Sequence, residues 1–206
     1  MPSTDKDKYS PQNQFEIRGV YMYREGWTES QSFNIKEMVE EFNLFEDMDG
    51  LLSATLILID PMNMPDSFPI LGGERVRVQF KTPSYEEMLD LEFVVYKLGE
   101  KIASSDSSKA LMYEMFLCTV DRYRDVNIDL SKSYKGTYSD VVTNVLNDLK
   151  STKPLDKQDA LGVQKFVSPY WSPLKVCRWI ANRCYDAEMS PFVFFERVDG
   201  YVFKSV

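Results

Sequence analysis

Hydrophobic periodicity changes character once along these 206 residues, near Arg122, and this limits the available folds more than any other feature. Before that point apolar residues recur at period two, the spacing of strands; after it the 3.6-residue spacing of helices appears. The clearest strand is Glu74–Phe80, where Val76, Val78 and Phe80 point one way and Arg75, Arg77 and Gln79 the other, toward a neighbour or solvent. Phe15–Arg24 carries Phe15, Ile17, Tyr21 and Tyr23 at even spacing around Gly19. Ala54–Asp60 is a short apolar run stopped by Pro61 and reads as a buried strand. Leu91–Leu98 and Leu111–Val120, joined through the polar stretch Ala103–Lys109, read as an antiparallel pair. Phe33–Glu46 fits a strand face through Met38, Phe42 and Leu44 and a helical face through Ile35, Met38, Val39 and Phe42, so both states stay open. Several strands at hairpin spacing favour a closed or nearly closed barrel, which leaves few exposed edges.

Beyond Arg122 two helices are expected. Thr137–Asp140 has the form of a capping box, and Val142, Val145, Leu146 and Leu149 follow at helical spacing. Ser172-Pro173 opens the second, with serine as N-cap and proline in the first turn; Trp171 is placed to staple onto Val176. Its apolar positions are Val176, Cys177, Ile180, Ala181 and Cys184. Phe192–Val198 and Tyr201–Val206 flank Asp199-Gly200, a two-residue hairpin signal. The fold class is therefore α+β, mainly β. Residues 1–14 form a polar arm, 15–124 a first β-barrel domain, and 125–206 a second domain with two helices and a terminal hairpin. The sequence stops directly after an apolar stretch, so further residues are expected downstream of Val206.

The chain carries 24 Lys and Arg against 32 Asp and Glu, a net charge of −8. Nonspecific binding to nucleic acid, which draws its affinity from counterion release by clustered cations, is not expected. The apolar run around Leu56–Ile59 is far shorter than the roughly 20 residues that span a bilayer, and the opening residues lack the pattern of a signal peptide. Three cysteines, Cys118, Cys177 and Cys184, do not make a disulfide framework and suit a reducing compartment.

Histidine is absent, which removes Ser-His-Asp and Cys-His catalysis and the commonest transition-metal ligand. Leu71-Gly72-Gly73-Glu74 lacks the spacing and lysine of a phosphate loop and reads as a turn. Cys177 and Cys184 lie two helical turns apart; a metal or redox pair is conceivable, but two core residues are the preferred reading. Glu46, Asp47 and Asp49 before Gly50 lack calcium-loop spacing and read as an acidic turn. Neighbouring carboxylates in Glu40-Glu41 and Glu86-Glu87 diverge in either helix or strand, so neither pair makes an acid/base dyad. Tyr123, Tyr134 and Tyr138 with Lys132 and Lys135 could stack single-stranded nucleic acid, but the net charge favours a subunit interface. No catalytic, cofactor-binding or metal-ligating residue is assigned, no cofactor is expected, and an enzyme is not expected.

An ordered set of segments carries a family resemblance. Leu44-Phe45-Glu46-Asp47, Ala54–Asp60 and Phe68-Pro69-Ile70-Leu71-Gly72-Gly73-Glu74-Arg75-Val76-Arg77-Val78-Gln79-Phe80 resemble the opening of phage baseplate hub proteins. Tyr134-Lys135-Gly136-Thr137 before a helix, Trp171-Ser172-Pro173-Leu174 before the next, and Pro191–Glu196 followed by Asp199-Gly200 continue the order, so that it covers roughly Ile17–Phe203. The resemblance implies tail-tube-like barrels, the second one helix-containing. It implies a homotrimer whose six barrels imitate a six-fold ring, joining the tail tube to a central spike and lining the DNA channel used in genome ejection. The implied partners are further copies, the tail tube protein, the spike protein, other baseplate proteins and the tape measure protein. The implied location is the virion, after assembly in the host cytoplasm. The alternative is a hub or spike component of a contractile secretion or injection system. Hub proteins are usually longer, and the family offers no catalytic residues.

Overall fold

The computed structural model describes residues 16–27, 31–48, 50–82, 87–103 and 110–206. The expected arm 1–14, Phe15, Asp49, Pro83, Glu86 and residues 104–109 of the polar loop lie outside the described residues. The fold is mainly β, as the periodicity indicates, with four helices among the described residues; the first, α1 (Met64–Ser67), is a single turn. It groups into two compact units. One holds the described residues up to Glu41 together with Leu56–Met115; the other holds Phe42–Thr55 with Phe116–Val206.

The strands of the first unit are β1 (Glu16–Tyr23), β2 (Phe33–Asn34), the first residues of β3 (Val39–Phe45), most of β4 (Ser53–Asp60), β5 (Arg75–Lys81), β6 (Leu89–Leu98), β7 (Ile102–Ala103) and the first half of β8 (Leu111–Thr119). They lie in one sheet in the order β2-β1-β5-β6-β8-β4-β3, with β7 on β8. The two ends of that order, β2 and β3, are consecutive in the chain and joined only by Ile35 and a 3-10 turn at Lys36–Met38. So short a connection requires the sheet to curl back on itself. Phe33–Glu46 is thus both things periodicity allowed: a helical turn that buries Ile35 and Met38, then a strand.

Two details differ from expectation. The apolar run of β4 is buried on one face only: Ala54, Leu56, Leu58 and Asp60 are buried, while Thr55, Ile57 and Ile59 are half-buried. In β5, Val76, Val78 and Phe80 face the core as read, but Arg75 is buried too. Its guanidinium lies 3.0 Å from Glu25, and Arg77 makes a forked pair with Asp90 at 2.7 and 2.5 Å. Acidic partners within the chain take up both arginines: Arg75 is withdrawn from solvent, while the Arg77–Asp90 pair stays open to it as expected of a wet face.

In the second unit α2 (Val120–Asp125) directly continues β8, where the pattern suggested one more strand residue at Val120. Then come β9 (Ser133–Thr137), α3 (Tyr138–Asp148), β10 (Leu155–Lys157), β11 (Val163–Val167), α4 (Pro173–Ala181), β12 (Phe192–Arg197) and β13 (Gly200–Ser205). Val141, Val142, Val145, Leu146 and Leu149 of α3 and its end meet Leu174, Val176, Cys177, Ile180 and Ala181 of α4, and both pack with Phe192, Phe194, Tyr201 and Phe203. Thr137 caps α3 as expected, accepting the Asp140 N–H at 3.2 Å. The α4 cap is different. Ser172 occupies the N-cap position, yet its hydroxyl does not accept from the helix. The Leu174 N–H instead donates to the carboxylate of Asp125 at 2.7 Å. Trp171 packs edge-on to Trp179, with ring centroids 5.7 Å apart, and lies against the core that holds Val176. The hairpin pairs Arg197 with Gly200, so its two loop residues are Val198 and Asp199, one position earlier than expected.

Candidate functional site

The second unit contains a buried polar cluster built from four separate stretches of chain. In β12, Phe192, Phe194 and Glu196 share one face by alternation, and all are buried; Glu196 has 0% exposure. A carboxylate there must be fully partnered. It accepts the Leu52 N–H at 3.1 Å and the Thr119 hydroxyl at 3.1 Å, and the Lys153 ammonium lies 2.5 Å away. Burial pushes the Glu196 carboxyl above its ordinary range, against the lowering effect of Lys153 and Thr119. Next to it, Asp121 accepts from the Ser151 hydroxyl at 2.5 Å and the Tyr201 hydroxyl at 3.1 Å. Burial, with the nearby carboxylates of Glu196 and Asp121, pushes the Tyr201 phenol far up, so it stays a proton donor. The Glu196 N–H donates to Gly50 O at 3.3 Å, and Glu46 accepts the Val198 N–H at 3.1 Å. All these groups already have partners, and the cluster serves to anchor the segment Phe42–Thr55 to α2 and the hairpin. The sequence reading missed Glu196 and Asp121, although a glutamate in phase with Phe192 and Phe194 was a visible sign.

Cys177, Cys184 and the glycine turn fall where the preferred readings put them. Cys177 and Cys184 are both buried; burial pushes the Cys177 thiol far up and the Cys184 thiol up to about 12, so both are poor nucleophiles and poor ligands. Cys118 is buried as well. Among the described residues no group of three or more His, Cys, Asp or Glu side chains could hold a metal. Leu71–Glu74 is a turn: Gly72 and Gly73 have φ of 97° and 92°, and the Glu74 carboxylate accepts the Leu71 and Gly72 N–H groups at 2.9 Å each. Glu40, Glu41 and Glu87 are exposed.

The aromatic set divides. Tyr134 belongs to the core and donates to Asp148 at 2.6 Å, and Lys132 is paired with Asp148 at 2.8 Å, so neither is open to a stacked base. Tyr138 is half-buried and Tyr123 exposed. The surface that remains is the outer side of a two-stranded ribbon, β9 paired antiparallel with β11. Its inner side carries Tyr134 and Phe166, with Phe166 4.9 Å from the Trp179 ring. Its outer side carries Val163, Lys165 and Val167 of β11 and Lys135 of β9, all exposed, with Lys135 directly opposite Lys165. Among the described residues no helix is long and apolar enough to cross a membrane.

No protein-family model matches the chain, and no curated protein matches it. Solved structures do. A tail protein from Neisseria meningitidis MC58 aligns over 90% of this chain and 49% of its own length, with a TM-score of 0.55 at 13% identity. The fold is shared with a tail protein. An E. coli component of the type VI secretion system, described as structurally similar to the T4 bacteriophage tail proteins gp27 and gp5, aligns over 92% of this chain and 48% of its own at 11% identity, with a TM-score of 0.46. The chain spans about half the length of each.

Proposed function

We propose that this chain is a non-enzymatic structural subunit of a phage tail baseplate, a hub protein that forms a three-fold ring between the tail tube and the central spike. The observation that carries the reading is the fold shared with a tail protein over nine-tenths of the chain. The order of segments from Leu44 to Gly200 narrows it from tail component to hub. The chemistry is in keeping with this. The buried Glu196 cluster is partnered within the chain and anchors the second unit, and the thiols are buried. Three copies would carry three times the net −8 of one chain, and the field of such a ring repels phosphates, so DNA could pass without being held. Partners on this reading are other copies, the tail tube, the spike, further baseplate proteins and the tape measure protein, and the location is the virion tail.

A reconstruction of assembled particles tests the proposal. Three copies around the axial channel, between tube and spike, are expected. Six or twelve copies per tail, or a position away from the channel, would reject the hub assignment.

A further inference from the structure

We propose that the outer face of the β9–β11 ribbon receives the acidic, apolar corner Phe45–Met48 of a second copy of this chain, in a head-to-tail contact between copies. The inference rests on the reading as a ring-forming subunit and adds the two surfaces that meet. The ribbon face combines features that a solvated strand pair rarely keeps together. Val163, Val167 and Tyr170 are 68%, 64% and 73% exposed. Lys135 and Lys165 sit side by side across the ladder, and neither has an ion-pair partner among the described residues. Like charges directly opposite on a sheet destabilise it. Tyr170 has φ of +54°, a left-handed backbone that costs a non-glycine residue energy, in a loop where its ring remains exposed. Tyrosine in such a position suits an interface anchor.

The same chain presents a surface of opposite kind. Where β3 ends, Phe45 and Met48 are exposed apolar residues with exposed Glu46 and Asp47 between them, the Glu46 carboxylate accepting the Val198 N–H through one oxygen. Phe45 and Met48 match Val163, Val167 and Tyr170 in chemistry, and Glu46 and Asp47 match Lys135 and Lys165 in charge. The two surfaces differ from each other, so the contact is heterologous; such contacts build closed rings when the rotation closes. Two lysines directly opposite on one ladder concentrate positive charge that an acidic corner of a neighbouring copy would offset.

Sedimentation of the purified full chain across a concentration series tests this. Self-association is expected, weaker when salt is raised from about 0.05 to about 0.5 M because the contact pairs charges near the surface. The double variant K135E/K165E should weaken association by on the order of tenfold or more, and E46K/D47K should do the same. The quadruple variant carrying all four changes should restore it, which a merely misfolded protein would not do. Unchanged association in K135E/K165E, no rescue in the quadruple variant, or a protein that stays monomeric up to about 1 mM overturns the inference. Tails that contain the chain while the isolated protein stays monomeric would remove this contact and leave the subunit reading intact. A self-associating protein that is absent from tails would do the reverse.

Discussion

Glu196 shows how one residue can bind distant stretches together. Its carboxylate is out of water, and Lys153, partly exposed, supplies the only ammonium within bonding distance among the described residues. A buried pair of this kind adds little net stability, but removing one partner strands the other charge. Lys153→Met should therefore cost about 3 kcal/mol in urea unfolding at neutral pH, at the lower end for a buried pair because the lysine keeps some solvent. The pH dependence has a definite sign. The folded-state pKa of Glu196 is raised above its unfolded value, so the folded state holds its proton more tightly. The associated stability is present below the unfolded value and lost as pH rises through the folded one. The deficit of Lys153→Met should accordingly shrink as pH falls toward about 4, the ordinary glutamate range. The thiols give a second test at this scale. Cys118, Cys177 and Cys184 should not react with a thiol reagent such as Ellman's until the protein is denatured, and metal analysis after dialysis should find no stoichiometric zinc. Cys177 and Cys184 were legible because they fell on a helical apolar face, whereas Glu196, though in phase with Phe192 and Phe194, was passed over because the run Phe192–Phe195 drew attention to its hydrophobic members.

At the scale of elements, glycine and a remote carboxylate decide two terminations. Gly200 opens β13 with φ of +145°, and Tyr201 N–H donates to Pro154 O at 2.8 Å just before β10. A Cβ on Gly200 would collide with the Pro154 carbonyl oxygen, which belongs to the backbone and cannot swing away. Gly200→Ala should cost about 2–4 kcal/mol and loosen the parallel β10–β13 pairing, seen as faster hydrogen exchange at Tyr201. For α4, Asp125→Ala should cost about 1–2 kcal/mol, the range for losing a cap, and Ser172→Ala should cost less, because Asp125 and not Ser172 accepts the Leu174 N–H. Thermal unfolding of the two variants separates the assignments. The long helices α3 and α4 and the alternating strand β5 were readable from period alone. The strands β9, β10 and β11 were not. They are three to five residues long and carry Ser133, Lys135, Asp156, Lys157 and Lys165, and what holds them is pairing with partners far along the chain. The helix α2 escaped notice because six residues are too few to show a helical repeat.

At the scale of the molecule, charge and chain path matter most. With 24 cationic against 32 anionic side chains, the protein should not retard duplex DNA in a gel shift at about 0.15 M salt; retardation that weakens with added salt would contradict the conduit reading. The mainly-β class and the helices of the second half were legible. The membership of Phe42–Thr55 in the second unit was not, because the hydrogen bonds of Leu52 and Gly50 to Glu196 join positions far apart in sequence. That membership bears on how the protein is made. A ribosome releases Phe42–Thr55 long before α2, Lys153 and Glu196 exist, and at about 5–20 residues per second the wait for Glu196 lasts roughly 7 to 28 seconds. During that interval Leu51, which packs against the core of α3, α4 and the hairpin, has no core to enter. The second unit can close only after the last hairpin has been translated, so a nascent chain stalled before Glu196 should present an apolar loop to chaperones, and no cut at a single peptide bond yields the second unit whole.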